Sequence, residues 1–163
     1  MYDKIALMML SAAIGWFLSW QRFQTSENAN IINDHIKDIE RFSEVLRIHW
    51  LKSYSDIEPI EQKREIAEIK SMHISTQTFY GEAEKRLGRS RYRSYEVLQL
   101  RLFKVGMGGD FESIGRDFCE ATAVESQQIA WELIHSLRIA RREQYSLVKN
   151  TFAKICDKLS ITA

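Results

Sequence analysis

Residues 5–20 read IALMMLSAAIGWFLSW, a run of 16 residues that contains neither a charge nor a proline. As a helix, this run would rise roughly 24 Å at about 1.5 Å per residue, against a membrane hydrocarbon core of about 30 Å. Trp16 and Trp20 suit the interface between lipid and water, where tryptophan is enriched. The sequence therefore predicts a short N-terminal transmembrane anchor over residues 1–23.

Two other interpretations of residues 5–20 are open at this point. A cleaved secretory signal needs a basic start and small residues at the cleavage site, whereas the chain begins with the weakly basic MYDK and residues 20–22 are bulky or charged. The other interpretation is a buried core helix, which would be unusually apolar. An uncleaved anchor fits the residue pattern better than either of them.

Three small residues share one face of the predicted anchor. Ser11, Gly15 and Ser19 follow one another at intervals of four, and small residues at this spacing let two membrane helices approach closely. The three are therefore predicted to form a helix-packing face. The alternative is that they reflect only the general abundance of small residues in such helices.

The composition of the 163-residue chain indicates one compact domain after the anchor. With 45% hydrophobic residues, 28% charged residues and a net charge of +1, the chain is apolar enough to form a core and is not of the disordered class. A balanced charge also argues against a general nucleic-acid binder, because such proteins neutralise phosphates. We expect no nucleic acid among the partners.

Residues 24–163 are predicted to form a soluble bundle of about four helices. Residues 24–30 are polar and predict a short linker or a frayed start. Apolar residues then recur with a period near 3.6, and they predict helices over residues 28–54, 58–87 and 91–105 and a long final helix that begins between residues 111 and 116, with a kink near residue 122. Pro59 suits a first helical turn and Gly88 a helix end. With no alternating strand pattern, the predicted fold is all-α, a transmembrane helix followed by an up-and-down bundle.

A basic stretch separates the second and third helices of this bundle. It comprises Lys85, Arg86, Arg89, Arg91 and Arg93. In an up-and-down bundle this stretch lies near the membrane, where each well-placed basic residue contributes about 1 kcal/mol toward anionic lipid. We therefore predict that it binds anionic lipid, with the N-terminus outside and the bundle in the cytoplasm. The alternative is a solvated face paired with nearby glutamates.

Catalytic and metal-binding signatures are weak in this sequence. Glu132 and His135 have the spacing that di-iron bundles use, but no other histidine follows a glutamate at that spacing. Cys119 and Cys156 lie far apart on the predicted final helix, and we predict that both are buried, reduced thiols. No phosphate-binding loop or zinc motif occurs. The sequence predicts a non-enzymatic protein without a cofactor or metal.

The glycine-rich segment around residues 106–109 predicts an exposed turn at the far end of the bundle. Met107 and Phe111 are candidate contacts for a partner. Trp50 and Phe79 are also predicted to be exposed aromatic residues and are further candidates. The alternative is a turn in which Asp110 or Ser113 caps the following helix, without a binding role.

These features together predict a single-pass membrane protein that acts as an interaction or adaptor module at the cytoplasmic membrane face. Its partner would be another protein or a second copy of the chain. The layout resembles that of small bacterial membrane proteins, and the resemblance assigns no functional residues. Two alternatives are a membrane-acting effector of the exclusion, toxin or phage-defence type, and a helical nuclease that carries no recognisable motif.

Overall fold

The computed structural model describes the backbone of residues 2–55 and 57–160, and the side chains of residues 4, 5, 8, 9, 11–55 and 57–143. Within this part of the chain the regular secondary structure is helical, and no strand occurs. The elements are α1 (Tyr2–Leu51), α2 (Pro59–Gln77), α3 (Tyr80–Leu87), α4 (Arg89–Gly106), a 3-10 turn (Gly109–Glu112) and α5 (Glu120–Ser160).

The chain forms two compact units. The larger unit is Ile32–Ala140, and the smaller one combines the described parts of residues 1–31 and 141–163. The larger unit contains α2, α3, α4 and the 3-10 turn, together with the C-terminal part of α1 and the N-terminal part of α5.

Contacts of α1 set the directions of the helices within the larger unit. At one end His35 contacts Phe79, with ring centroids 4.2 Å apart, and Tyr95. At the other end the indole Nε1 of Trp50 donates to the backbone oxygen of Gly106 over 2.8 Å. Since residue numbers in α1 and α4 rise together between these two ends, α4 runs parallel to α1, and α2 runs antiparallel to it.

Helix α5 completes the bundle and runs antiparallel to α1. The amide of Gln127 donates to the backbone oxygen of Ser43 over 2.7 Å, and Arg138 lies 3.0 Å from Glu40. The order of directions is therefore up, down, up, down. The all-α helical bundle that the sequence predicted is confirmed.

The core of the larger unit is built from the apolar stripe of α1. This stripe has the predicted period, and it comprises Ile32, Ile36, Ile39, Phe42, Leu46 and Trp50, all buried. The other buried apolar residues of this core include Ile69 on α2, Leu102 on α4, and Leu133 and Leu137 on α5. The periodicity of the final helix also predicts Phe118, Val124 and Trp131 on its core face, and this is wrong because all three are exposed.

Several predicted helix boundaries are also wrong. The polar residues 24–30 form no linker, because α1 is continuous through them. This stretch contains neither glycine nor proline, the two residues that disfavour a helix most. The predicted helix over 58–87 is divided at residues 78 and 79. The final helix starts at Glu120, so that residue 122 lies in its first turn and not at a kink.

Residues 5–23 of α1 expose many large apolar side chains. They are Ile5, Met8, Met9, Trp16, Phe17, Trp20 and Phe23. At about 100° of rotation per residue these side chains cover roughly half of the helix circumference. Among the described residues, no helix reaches the combination of length and apolar character that identifies a membrane span.

Candidate functional site

A cleft of about 690 Å³ opens at the end of the larger unit where the glycine-rich segment lies. It lies between the ends of α1 and α4 and the start of α5. The side chains that line it are mixed in character and include Trp50, Lys104, Asp110, Arg116, Cys119 and Glu125. Concave sites that combine aromatic, charged and thiol groups are the usual places for binding.

Arg116 forms the floor of this cleft. Its side chain is only 8% exposed, and its guanidinium carbon lies 4.2 Å from the centroid of the Trp50 ring and 5.2 Å from that of Tyr54. Nη2 donates to the backbone oxygen of His49 over 2.6 Å, and Nη1 donates to that of Asp117 over 3.2 Å. This double cation–π contact ties the segment before α5 to the end of α1.

A polar cluster lies beside Arg116, in which His49 and Tyr54 are buried and Glu65 and Lys52 are partly exposed. The Nδ1 of His49 is 2.9 Å from the hydroxyl oxygen of Tyr54, and this hydroxyl donates to Glu65. Lys52 donates to the other oxygen of Glu65 over 2.7 Å. The cluster holds the end of α1, the following loop and α2 together through paired groups, as buried polar atoms require.

The charge states in this cluster follow from its burial and its partners. Burial, and then the positive charge of Arg116, lower the pKa of His49, although Glu65 opposes the shift. Burial alone would raise the pKa of Glu65, but hydrogen bonds from Lys52 and Tyr54 outweigh it and lower this pKa. At neutral pH a neutral His49 therefore lies beside an ionised Glu65.

Gln62 holds the loop that leads to α5. Its amide nitrogen donates to the backbone oxygen of Ser113 over 2.8 Å, and its amide oxygen accepts from the backbone N–H of Gly115 over 3.0 Å. Gly115 has a φ of 70°, which glycine adopts without strain. This segment is fixed by contacts distant in sequence, and the helix predicted to start at residues 111–116 starts only at Glu120 for this reason.

Cys119 lines the cleft and directly precedes α5. Its Sγ lies 3.1 Å from the hydroxyl oxygen of Thr122. Hydrogen bonds from the hydroxyl and the backbone N–H of Thr122 lower the pKa of this thiol. Cys119 is a free cysteine, as predicted, but its thiol is partly exposed and not buried. The side chain of Cys156 lies outside the described residues.

The predicted lipid-binding residues lie on both sides of Gly88, which has a φ of 77° and separates α3 from α4. Lys85, Arg89 and Arg93 are exposed. Arg86 pairs with Glu82 within α3, and Arg91 is half-buried. The start of α4 lies at the end of the larger unit that contains His35, because Tyr95 contacts this histidine.

The predicted packing face on α1 is solvent-exposed. Ser11, Gly15 and Ser19 are all exposed, and a Cβ atom built on Gly15 would meet nothing within 4 Å. The hydroxyl of Ser11 donates to the backbone oxygen of Met8 over 2.8 Å. The role of this face in helix packing stays a prediction.

Three of the aromatic side chains predicted as exposed contacts are buried. Phe111 is 1% exposed, because its ring packs against His49 and Trp50 with centroids 4.7 Å and 6.4 Å away. Trp50 is covered by Arg116, and Phe79 by His35. Met107 is half-buried. Phe111, Trp50 and Phe79 are therefore core residues and not surface contacts.

The nuclease hypothesis depends on an arginine and a histidine that converge on a phosphate. Arg116 and His49 do converge, but the arginine contacts the backbone oxygen of the histidine, and the imidazole is fully buried. Among the described residues, no group of three histidine, cysteine or acidic side chains could hold a metal ion.

The residues that matter most in these clusters were not predicted from the sequence. The one signal for them is a polar residue at a core position of a helix. Tyr95, Gln99, Leu102 and Gly106 repeat at helical spacing and are all buried, and Gln62 lies on the buried face of α2 in the same way. Glutamine is mostly exposed in proteins. A glutamine at a buried helical position therefore indicates a specific role, and this pattern could have identified both Gln62 and Gln99.

Comparison with family models, curated proteins and solved structures finds no match for this chain. The class that the fold itself defines is an all-α helical bundle. Any function must therefore be inferred from the chain's own residues.

Proposed function

We propose that this protein is a non-enzymatic interaction module that residues 5–23 of α1 anchor in a membrane. In this proposal the anchor crosses the bilayer once with its N-terminus outside, and the unit Ile32–Ala140 lies on the cytoplasmic side. The observation that carries the proposal is the exposed apolar half of α1 between Ile5 and Phe23. Monomeric soluble proteins rarely expose continuous apolar surfaces of this kind.

Composition assigns the lipid contact to α1 and not to the other helix of the smaller unit. Residues 5–20 carry no charge, whereas residues 141–160 of α5 carry seven charged residues. Each charge at the centre of a bilayer costs about 2.5–3.5 kcal/mol on insertion scales. The apolar face of α1 is therefore the surface that we assign to the hydrocarbon.

The basic residues around Gly88 support a lipid-facing orientation of the larger unit. Lys85, Arg89 and Arg93 are exposed at one end of this unit, and anionic headgroups attract such residues. We propose that this basic stretch orients the bundle on the cytoplasmic leaflet.

A protein partner or a second copy of the chain would bind the exposed surface of Ile32–Ala140. Since Phe111 is buried, the support for a binding surface comes from other apolar side chains that are exposed. They are Val97 and Leu100 on α4 and Val124 and Trp131 on α5. Tryptophan is enriched among the residues that dominate binding energy.

The decisive experiment compares two matched substitutions of exposed apolar residues. Trp16→Glu changes a side chain that is 70% exposed in the proposed anchor, and Ile74→Glu changes one that is 67% exposed on α2. After carbonate extraction of membranes, wild type and Ile74→Glu should remain in the pellet and Trp16→Glu should move to the soluble fraction. Equal behaviour of the two variants would contradict the proposed anchor.

Reporter fusions at each terminus test the orientation. A C-terminal reporter that works only in the cytoplasm should be active, and an N-terminal reporter of the same kind should be inactive. If both are active while the protein stays with membranes, residues 5–23 lie on the bilayer surface and do not cross it.

A second candidate is the membrane-acting effector, and the open space around Gly15 favours it. In this case the face of Ser11, Gly15 and Ser19 would bring copies of α1 together in the bilayer. Expression should then depolarise cells, and Gly15→Leu should abolish the effect while leaving the protein in the membrane. Unchanged membrane potential on expression of the wild type would remove this candidate.

A further inference from the structure

The side chain of Gln99 is buried without a hydrogen-bond partner. It is only 7% exposed, and among the described residues neither its amide nitrogen nor its amide oxygen has a partner. By comparison, both amide atoms of the buried Gln62 form hydrogen bonds. A buried amide without partners destabilises the fold unless a ligand or water satisfies it.

Two cavities meet at Gln99. The inner one has a volume of about 10 Å³ and lies in the core among residues that include His35, Phe42 and Leu133. The outer one has a volume of about 190 Å³ and reaches the surface between α2, α3 and α4. A cavity of about 150 Å³ holds one benzene molecule, so the outer cavity has room for a single six-membered ring with small substituents.

The walls of the outer cavity are aromatic and uncharged. They are formed by His73, Gln77, Tyr80, Gln99, Leu100 and Phe103. The rings of His73 and Phe103 are stacked, with centroids 4.7 Å apart. The described residues that line this cavity include no aspartate, glutamate, lysine or arginine, and an uncharged ligand with a flat ring is the class that fits them.

The protonation of His73 agrees with an uncharged site. The amide nitrogen of Gln77 lies 3.0 Å from Nε2 of His73, and because the amide donates, this Nε2 is the acceptor. Burial lowers the pKa of His73, so the ring is neutral at pH 7. The cavity thus has aromatic walls, and the enclosed amide of Gln99 beside it has an unused donor and an unused acceptor.

We propose that this cavity binds an uncharged, planar, single-ring molecule with an N–H group next to a carbonyl group, such as a pyrimidinone. With its side chain turned toward the cavity, the amide of Gln99 would donate to the ligand carbonyl and accept from the ligand N–H, which satisfies both of its atoms at once. The ring would lie against the aromatic wall. This site is separate from the proposed membrane anchor and from the cleft at Arg116.

The test uses the full-length protein purified in detergent micelles, with uracil as the probe. Saturation-transfer NMR should show uracil bound to the wild type. Gln99→Leu should weaken binding at least tenfold, whereas Gln128→Leu, which changes an exposed glutamine on α5, should leave binding unchanged. The same ring without N–H donors, 1,3-dimethyluracil, should bind at least tenfold more weakly than uracil to the wild type.

A second variant covers the case in which Gln99→Leu fails to fold. Leu100 is 60% exposed and lines the outer cavity, so Leu100→Trp should fill this cavity without removing the amide and should also abolish uracil binding. No uracil binding to the wild type up to the solubility limit would overturn the proposal and leave water as the occupant. Equal binding to the wild type and to either Gln99→Leu or Leu100→Trp would overturn it as well.

Discussion

Gln62 and Gln99 are two buried glutamines in the same bundle, and their surroundings differ in kind. Gln62 bonds both ends of its amide to the loop before α5, whereas Gln99 bonds to nothing among the described residues. Gln62 lies in a region where hydrogen bonds from polar side chains hold the backbone of the loop. Gln99 lies among aromatic rings, and its amide holds no part of the backbone. A buried polar residue that the fold does not use is the better indicator of a ligand site.

The largest expected effect is in the region of Gln62, at Arg116. Arg116→Met should lower the free energy of unfolding by about 2–4 kcal/mol, because it removes two cation–π contacts and the hydrogen bonds that the buried guanidinium donates to the backbone oxygens of His49 and Asp117. Urea denaturation followed by circular dichroism measures this change. Arg101→Met is the control, since the exposed Arg101 lies 3.6 Å and 3.8 Å from its acidic partners, and it should cost less than about 0.5 kcal/mol.

The same substitution at the two glutamines should have opposite signs. Gln62→Leu should destabilise the protein by about 1–3 kcal/mol, because the backbone groups of Ser113 and Gly115 lose their partners. Gln99→Leu should raise the stability of the ligand-free protein by about 1 kcal/mol, because it removes an unpaired buried amide. The urea midpoints of the two variants measure this difference. Destabilisation of similar size by both substitutions would contradict the prediction that only the amide of Gln62 stabilises the fold.

The aromatic region should also make stability depend on pH. Burial lowers the pKa of His35 to about 4, below its ordinary value of about 6.5 in the unfolded chain. The unfolded state therefore binds more protons between these pH values, and stability that is complete above pH 6.5 decreases as the pH falls toward 4. Each such histidine contributes up to about 1.4 kcal/mol per pH unit.

His35→Gln is the variant that isolates this contribution. It removes one titrating group beside Tyr95, so the decrease in stability between pH 6.5 and pH 5 should become shallower by up to about 1.4 kcal/mol per pH unit. Urea denaturation at a series of pH values gives the slope. An identical slope in the wild type and the variant would contradict the prediction, because it would show that the pKa of His35 is the same in the folded and unfolded states.

The smallest expected effect on folding is in the basic stretch, far from both glutamines. Lys85→Ala combined with Arg89→Ala should change stability by less than about 0.5 kcal/mol, because both side chains are exposed. The pair should weaken binding to vesicles with phosphatidylserine by about 1 kcal/mol per residue, but not binding to neutral vesicles. Vesicle co-sedimentation measures both, and Lys63→Ala with Arg64→Ala on α2 is a matched control.

The sequence was sufficient where local pattern and tertiary contacts agree. The stripe from Ile32 to Trp50 and the helix Arg89–Gly106 follow from helical periodicity alone. The segment from residue 107 to residue 119 does not, because Gln62 and Arg116 fix it through contacts with residues more than 50 positions away. The break before α3 has the same kind of cause, since Phe79 turns inward to pack between His35 and Tyr95.

The candidate sites were harder to predict than the fold. Exposure cannot be read from residue type, and the aromatic residues at positions 50, 79 and 111 were predicted at the surface although they are buried. The Gln99 cavity depends on the relative position of three helices, and no local spacing encodes that arrangement. The basic stretch around Gly88 was visible in the sequence because charge clusters are local.

The contact between Arg116 and Trp50 makes the intrinsic fluorescence of Trp50 a probe of this part of the protein. Of the four tryptophans, Trp50 is buried under a guanidinium group, whereas Trp16, Trp20 and Trp131 are exposed. Trp50 should therefore emit at shorter wavelength than Trp131, the exposed tryptophan of the same unit, and resist quenching by iodide once Trp16 and Trp20 of the proposed anchor are replaced by phenylalanine. A change in this blue-shifted emission would report events in the Arg116 cleft without any attached label.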